Sequence, residues 1–588
     1  MQETINYTLS FLSQSFIDPI LKIADQQLGN GFLNREFLSS YINNNERYCQ
    51  LALDGETVVG FSLMEIGNCT EIASKFKSGS YWFLEYFSAY ERIGYRSLTA
   101  VSADFEGRGI ASLLVEKGLE LLSGKVEVVV CDAWKSETNF IGNILERNGY
   151  EHVREIPFYW NSDSIKTGYS CKACGNPCSC TAVIYAKFFT NKNKWWERED
   201  LKYRNGILEF SGKLLLNYIE TKQTPLYIYN TDRIIYKYNQ LCTALDNQGV
   251  PFLIYYAMKA NRHPAILNHL KIRTKCGIDV CSPNELDLAI QYGFSPDQLS
   301  YTGTSISDND LKKICVHNKI RINLDSLSAV RRFAKFSEQK EIGIRINTGI
   351  GMAYNQGLEY AGNKVVKFGI YKTEWSELKK LIDNSDLIVD TVHCHAGSGF
   401  LSDQLPRLAE IFKEISFFIE LFPTVKTLNL GGGLGVPQQE GDQPLDLEAW
   451  SAIISTYVKN KGLNLSIEPG DYLVKDSGIL VTQVNSVEIK KGKLFVGIDA
   501  GMNMNNEYAY YDMNLEAIPL KKPLNRKNVA MTLCGNINEP VDLFAEDKEM
   551  PLLEEGEYIA LLNSGGYGAS SSSNHCMRGD FKEYIICK

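Results

Sequence analysis

From about residue 250 to residue 470 the sequence beats regularly. Short apolar runs recur with room for a helix between them: PFLIYYAMKA, KCGIDVCS, KIRINLD, EIGIRIN, IVDTVHCHAGS, VKTLNLGGG and LNLSIEPG. Strand and helix in repeated alternation make a parallel βαβ series, and about eight such units close a (β/α)8 barrel. Most of these runs end in polar or glycine residues, at the rim where such a barrel carries its chemistry.

The regions flanking this series read differently. The stretch 191–204, NKNKWWEREDLKYR, is polar and charged and separates two patterns. Before it, the apolar run VEVVVCDAW at 126–134 follows an amphipathic helix pattern, ASLLVEKGLELL, at 111–122, which predicts a compact α/β domain. Beyond about residue 480 the helical pattern fades into short strands such as GKLFVGID and GEYIALLN. The expected domains are 1–192, a barrel over 200–475 with an early strand lent to the β domain, and a C-terminal β domain over 476–588. At 588 residues the chain is too long for one core.

Composition narrows the function. A formal charge of -9 argues against general nucleic-acid binding, which needs a basic stripe, so small anionic ligands are the expected partners of basic residues. No run approaches the roughly 18 to 20 apolar residues of a membrane span, and the start of the chain does not read as a secretory signal. The 15 cysteines are expected to be reduced, in a cytoplasmic protein, with metal binding or chemistry as exceptions.

Two features point to chemistry. Lys259, in YYAMKAN, ends a buried apolar strand, where an isolated ammonium is costly. Either the side chain reaches solvent or the amine is a Schiff-base nucleophile. The run 431–435, GGGLG, follows the strand-like VKTLNL and is either a tight structural loop or a cradle of backbone amides for a phosphate.

The order of the motifs is more specific than any one of them. YYAMKAN, GIDVCSPNEL, RIN, KFGI, HCHAGSG, GGGLG, IEPG, DAGMN and NSGGYGASSSSNH follow one another across residues 201–588. This region resembles the fold type III pyridoxal-phosphate decarboxylases, which include ornithine and diaminopimelate decarboxylases. The resemblance implies that Lys259 forms the internal aldimine, that His395 stacks on the cofactor ring, and that Glu468 pairs with the pyridine nitrogen so that the ring can accept electrons as carbon dioxide leaves. It places Ser398, Gly432, Gly433 and Tyr567 at the phosphate, with Asp279 and Arg345 near the cofactor. It also implies a head-to-tail homodimer with shared active sites, in which Asn538, Glu539 and Tyr567 are the contribution of the second subunit.

There are two departures from that family. Its EPGR is EPGD here, so Asp471 stands where an arginine often contacts a substrate carboxylate, and a carboxylate cannot replace that clamp. A cationic or amine-bearing substrate group is expected instead. In GNINEPVDLF, Asn538 and Glu539 align with a cysteine and acidic residue that the partner subunit supplies, and an amide is no proton donor at neutral pH. Cys534 and Cys576 are alternative donors.

In the N-terminal region, SADFEGRGIASLLVEKGLELL reads as a strand end, a tight turn and an amphipathic helix whose first amides suit a pyrophosphate. It resembles the acetyl-CoA loop of the GNAT superfamily of N-acetyltransferases. The resemblance implies acetyl-CoA contacts at Gly107, Arg108, Gly109 and Ala111, and at Asn139 in ETNFIGNILERNGY. Glu106 departs from the usual first residue of the loop, and Leu145 stands where many members carry a tyrosine acid. Between the halves, Cys171, Cys174, Cys178 and Cys180 supply four thiols within ten residues, enough for one tetrahedral ion. Zinc is the expected ion, with an iron-sulfur cluster or unliganded thiols as alternatives.

These readings combine into a bifunctional biosynthetic enzyme: decarboxylation of a basic or conjugated amino acid, and acylation of an amine, in siderophore or other natural-product assembly. Rival readings are a racemase or decarboxylation-dependent transaminase with a non-catalytic GNAT-like domain, and a regulatory homologue without pyridoxal phosphate.

Overall fold

The apolar runs at the start of the chain pair into a seven-stranded mixed sheet. Its strands are β1 (Thr8–Phe11), β2 (Arg47–Asp54), β3 (Thr57–Gly67), β4 (Ile93–Val101), β5 (Val128–Trp134), β6 (Glu151–Ile156) and β7 (Ala182–Phe188), in the order β1-β2-β3-β4-β5-β7-β6. All neighbours are antiparallel except β4 and β5. The run VVVC of β5 shows why apolar continuity is needed here. Val128 and Val130 pack into a cluster with Phe83, Phe87 and Tyr159, while Val129 and Cys131 pack on the other face with Val115, Leu122 and Leu145. Both faces of the run are covered by helices, so each of its four positions is buried.

The computed structural model describes residues 7–135, 140–189, 194–362, 364–523 and 526–587. They fall into two units, Met1–Lys194 and Trp195–Lys588. Among the described residues no helix is long and apolar enough to cross a membrane.

In the second unit eight parallel strands close a barrel: Phe252–Ala257, Gly277–Val280, Leu299–Thr302, Arg321–Leu324, Glu341–Asn347, Ile388–His393, Thr427–Asn429 and Asn464–Ile467. Each pairs with the next, and the last pairs with the first. The third, Leu299–Thr302, is not among the apolar runs of the sequence. It is only four residues long and alternates Leu and Tyr with Ser and Thr, so it carries too little apolar signal to stand out, yet all four residues are buried. Several of the helices that follow the strands have side-chain N-caps, as where Ser282 and Ser326 accept from the amides of Glu285 and Ala329.

The β domain draws on both sides of the barrel in sequence. Leu226–Asn230, before the first barrel strand, lies between Gly478–Lys490 and Lys582–Ile586. From Gly478–Lys490 the sheet extends through Lys493–Ile498, Asn528–Cys534 and Leu543–Pro551.

Candidate active site

The barrel strands deliver their C-terminal residues to one rim. Lys259 sits in the turn Met258–Ala260 immediately after Phe252–Ala257. The turn is pinned from outside the barrel: Ala260 accepts from the Tyr567 amide at 2.8 Å, and Asn261 donates to the Gly565 carbonyl at 2.8 Å. The Lys259 Nζ stands 3.6 Å from Asp279 Oδ2, at the end of Gly277–Val280, and 40% of the lysine side chain is accessible. Burial acts against its charge, but the Asp279 and Glu468 carboxylates outweigh that and raise its pKa. The lysine is therefore reachable and held charged beside a carboxylate.

Glu468, directly after Asn464–Ile467, is the most completely bonded group here. Its Oε1 accepts from Ser300 Oγ and Asn429 Nδ2, each at 2.8 Å, and its Oε2 lies 3.0 Å from His393 Nε2. A carboxylate only accepts, so His393 donates through Nε2 and keeps Nδ1 unprotonated. Burial alone would raise the glutamate, but His393, Ser300 and Asn429 bring it down to about 2. His393 is itself held neutral by burial. These three partners come from three strands, and the sequence reading missed all of them. His393 stood within the quoted HCHAGSG motif; Ser300 lay in the strand that was not recognised.

His395 follows Ile388–His393 and packs against Tyr360 with ring centroids 4.8 Å apart. Burial first, then Arg345 and Lys259, push its pKa well below the ordinary histidine value, so it is a flat neutral ring. Arg345, in Glu341–Asn347, is buried with its guanidinium 4.8 Å from the Phe368 ring centroid. The loop at 431–435 interlocks with the loop of His395 backbone to backbone. A Cβ on Gly433 would lie 2.3 Å from the Gly397 carbonyl oxygen, and one on Gly432 would lie 2.5 Å from that of Glu468. Gly431 and Gly433 have φ of 63° and 100°. Only glycine fits this approach, and the Gly431 amide donates to Asn429 Oδ1 at 2.9 Å while Gly432 and Gly433 bring no side chain of their own over their amides.

The other expected residues fall into two groups. Ser398 lies in the same loop, its amide donating to Leu358, and Tyr567 adopts φ 55° beside Ala260, against the Lys259 turn of its own chain and not, as the resemblance implied, only at a second subunit's site. Asp471 begins the short helix Asp471–Val474, with Oδ2 3.5 Å from Lys475 Nζ and Oδ1 buried without a partner. Asn538 and Glu539 are instead exposed, on the turn between Asn528–Cys534 and Leu543–Pro551, and Glu539 lies 3.1 Å from His575. Cys534 is half-buried, its thiol raised by burial, and Cys576 is exposed.

In the first unit, the β4–β5 ladder stops at the pair Arg96–Cys131, although β4 runs on to Val101 and β5 to Trp134. A bulge leaves Ser97 without a partner opposite β3. Past the end of β4 come Gly107 and Gly109, with φ of 74° and 81° and open space around each, and then the helix Ile110–Leu122. Arg108 lies over the Phe105 ring and donates to the Asp104 carbonyl at 3.0 Å, while Ala111 is half-buried. Leu145 is fully buried in apolar core, and Asn139 lies outside the described residues. Asp132 of β5 was not foreseen: it accepts from Tyr95 at 2.9 Å, and burial pushes it up to about 7. The four cysteines 171, 174, 178 and 180 gather with all sulfurs within 4.8 Å of one another.

A family model for the pyridoxal-binding domain of pyridoxal-dependent decarboxylases matches residues 231–475. Diaminopimelate decarboxylase of Methanothermobacter thermautotrophicus is 32% identical over 392 residues, which are 65% of this chain and 91% of that protein. The Aquifex aeolicus enzyme of the same name is 30% identical over 400 residues, 66% and 92% of the two chains. A crystal structure of diaminopimelate decarboxylase from M. jannaschii with L-lysine has a TM-score of 0.60 at 26% identity, covering 66% of this chain and 93% of that one. The N-terminal unit is additional to these relatives.

Proposed function

Because this chain belongs to the pyridoxal-dependent decarboxylases, we propose that it removes the carboxyl group of an amino acid carrying a cationic or amine-bearing arm, with Lys259 holding the cofactor. The observation that carries the reading is the convergence on one barrel rim of Lys259, Asp279, His395 and a Glu468 held ionised by three partners.

The donor set fits pyridoxal phosphate. Asp279 Oδ1 and His395 Nδ1 are buried polar atoms without partners, and the glycine loop offers backbone amides where a Cβ could not stand. Bound there, pyridoxal phosphate supplies the electron sink that lets the Cα–carboxylate bond break and carbon dioxide leave. Lys259 provides the amine that anchors it, and Asp279 orients that amine. Glu468 presents a negative charge that would hold a proton on the cofactor's ring nitrogen. The neutral His395 ring gives a flat face that excludes water without adding charge. The amides of Gly432 and Gly433, with Ser398 and Tyr567, would hold the phosphate, the Gly431 amide being taken by Asn429 Oδ1.

Substrate and assembly follow from the two departures. Asp471, with a buried free acceptor oxygen, favours a donor-bearing cationic group over the carboxylate that an arginine would clamp. Asn538 and Glu539 stand on an exposed turn, as expected of residues that a head-to-tail homodimer lends to the partner's site. Within that turn Glu539, beside His575, is the group able to carry a proton back to the substrate carbon.

For the N-terminal unit the proposal is acyl transfer from acetyl-CoA to an amine, which makes the chain bifunctional. Support comes from the opening between β4 and β5, the bulge at Ser97, and the glycine loop at the start of Ile110–Leu122. The setting would be the assembly of a siderophore or a related natural product.

The test is a carbon dioxide release screen of pyridoxal-phosphate-loaded protein against basic and conjugated amino acids, with product masses read with and without acetyl-CoA. The expected product is an amine one carboxyl lighter that gains an acetyl group only when acetyl-CoA is present. Loaded protein that returns inverted amino acid or a carbonyl product would refute the decarboxylase assignment of the site.

A further inference from the structure

We infer that Cys171, Cys174, Cys178 and Cys180 hold one structural zinc ion, and that this ion fastens the end of the helix Ile17–Gln27 to the glycine loop before Ile110–Leu122. The sulfur separations carry the metal. Cys171 to Cys180 is 3.8 Å, Cys174 to Cys178 is 3.6 Å and Cys174 to Cys180 is 3.4 Å. Four thiolates at the usual Zn–S length of about 2.3 Å define a tetrahedron whose edges are about 3.8 Å. No pair is at bonding distance for a disulfide. A multi-iron cluster divides the four cysteines among two or more irons and would spread the sulfurs further.

The surrounding backbone is built for such a site. Cys171 and Gly175 exchange amide-to-carbonyl bonds of 3.0 and 2.9 Å, which closes the first Cys-X-X-Cys into a tight turn. The Ser179 amide points at Cys174 Sγ from 3.2 Å, a donor for a thiolate. The rest of the loop hangs on the helix Asn161–Thr167. Ser164 Oγ accepts from the Cys178 amide at 2.8 Å, Asn161 donates to the Cys178 carbonyl at 3.1 Å, and Asn176 bridges the Ser164 and Tyr169 carbonyls at 2.8 Å each. Four thiols brought this close, in a short loop with no apolar core of its own, need a cation to hold them there.

The loop's contacts show what the ion secures. The Lys172 amide donates to the Leu28 carbonyl at 3.3 Å, just past Ile17–Gln27. Gly29 approaches so closely that a Cβ there would lie 2.0 Å from the Ser170 carbonyl oxygen. One residue back along the helix, Gln27 donates to the Val101 carbonyl at 2.9 Å and to Glu106 Oε1 at 2.7 Å. Val101 ends β4 and Glu106 opens the glycine loop. A path of direct contacts thus runs from the cysteine loop through 27–29 to residues 101–106. Glu106, which departs from the acetyl-CoA loops it resembles, has a positioning task in this path whether or not the unit transfers acyl groups.

The test is metal analysis of the full-length protein with hydrogen exchange read before and after chelation. One zinc per chain is expected, lost in Cys174→Ser and retained in Cys174→His, which restores a ligand. Cobalt exchange should give the intense visible bands of tetrahedral thiolate coordination. On chelation of the wild-type protein, amides at 26–31 and 101–109 should exchange at least tenfold faster while those of β3 and β7 stay unchanged. Protein that holds no metal and titrates four free thiols at these positions, or that holds iron, would overturn the zinc assignment. Zinc removal that leaves exchange at 26–31 and 101–109 unchanged would overturn the fastening role.

Discussion

Replacing Glu468 by glutamine separates its charge from its shape. The side-chain volume is kept, and the amide oxygen can still accept from Ser300 and Asn429, both at 2.8 Å in the wild type. The amide NH2 can donate to His393 Nε2, because the neutral imidazole only has to move its proton to Nδ1, which has no partner now. The fold should therefore survive, and the loss should fall on chemistry. Wild-type Glu468, held near 2, is ionised throughout the working pH range. The stability it lends is present above its ordinary value near 4.5 and is lost only as pH falls from there towards 2. A hydrogen bond to a charged group is worth about 1.5–3 kcal/mol. Removing the charge opposite a protonated ring nitrogen should then lower kcat roughly 10- to 150-fold. Ser300→Ala is the matching control. It deletes one donor but leaves a carboxylate that starts far below neutrality, so kcat at pH 7 should change by no more than about threefold. The assay is carbon dioxide release under saturating substrate and cofactor, with thermal melting to confirm the fold. A Glu468→Gln enzyme that keeps wild-type kcat, or a Ser300→Ala enzyme as impaired as Glu468→Gln, would refute the assignment of a charge role.

Three further substitutions test other parts of the molecule. Asp132 is raised from 3.8 to about 7 in the folded protein, so stability should fall by about 4 kcal/mol as pH rises from about 4 to 7 and stay level above; Asp132→Asn should abolish that slope in pH-dependent unfolding of the N-terminal unit. Gly432→Ala would set a Cβ 2.5 Å from the Glu468 carbonyl oxygen and should weaken pyridoxal phosphate at least tenfold by absorbance titration; unchanged affinity would mean that the loop does not receive the phosphate. Gly118→Ala places a Cβ 2.2 Å from Arg96 Nη2, and Arg96 is fully buried, bonded to Ser62 and to the Val115 carbonyl. Melting should reveal a net destabilisation of about 1–2 kcal/mol even though alanine is the better helix former, because overpacking against a trapped guanidinium outweighs propensity.

What the sequence by itself determined was local in origin. A βαβ series announces itself through apolar runs and helical spacers, and glycines at 431–435 or cysteines at 171–180 through spacing, because each depends on neighbours along the chain. The barrel was legible for that reason, apart from Leu299–Thr302, whose burial is decided by strands on either side and not by its own composition. What only the tertiary structure decided was convergence. Glu468 draws donors from Ser300, His393 and Asn429, which lie 168, 75 and 39 residues away in the chain. No local pattern links them; they meet because a closed barrel turns the ends of successive strands towards one axis. The same reason made Asp132 invisible beforehand. An aspartate in a strand is unremarkable until sheet and helices close over it, and the removal of water then changes its acidity.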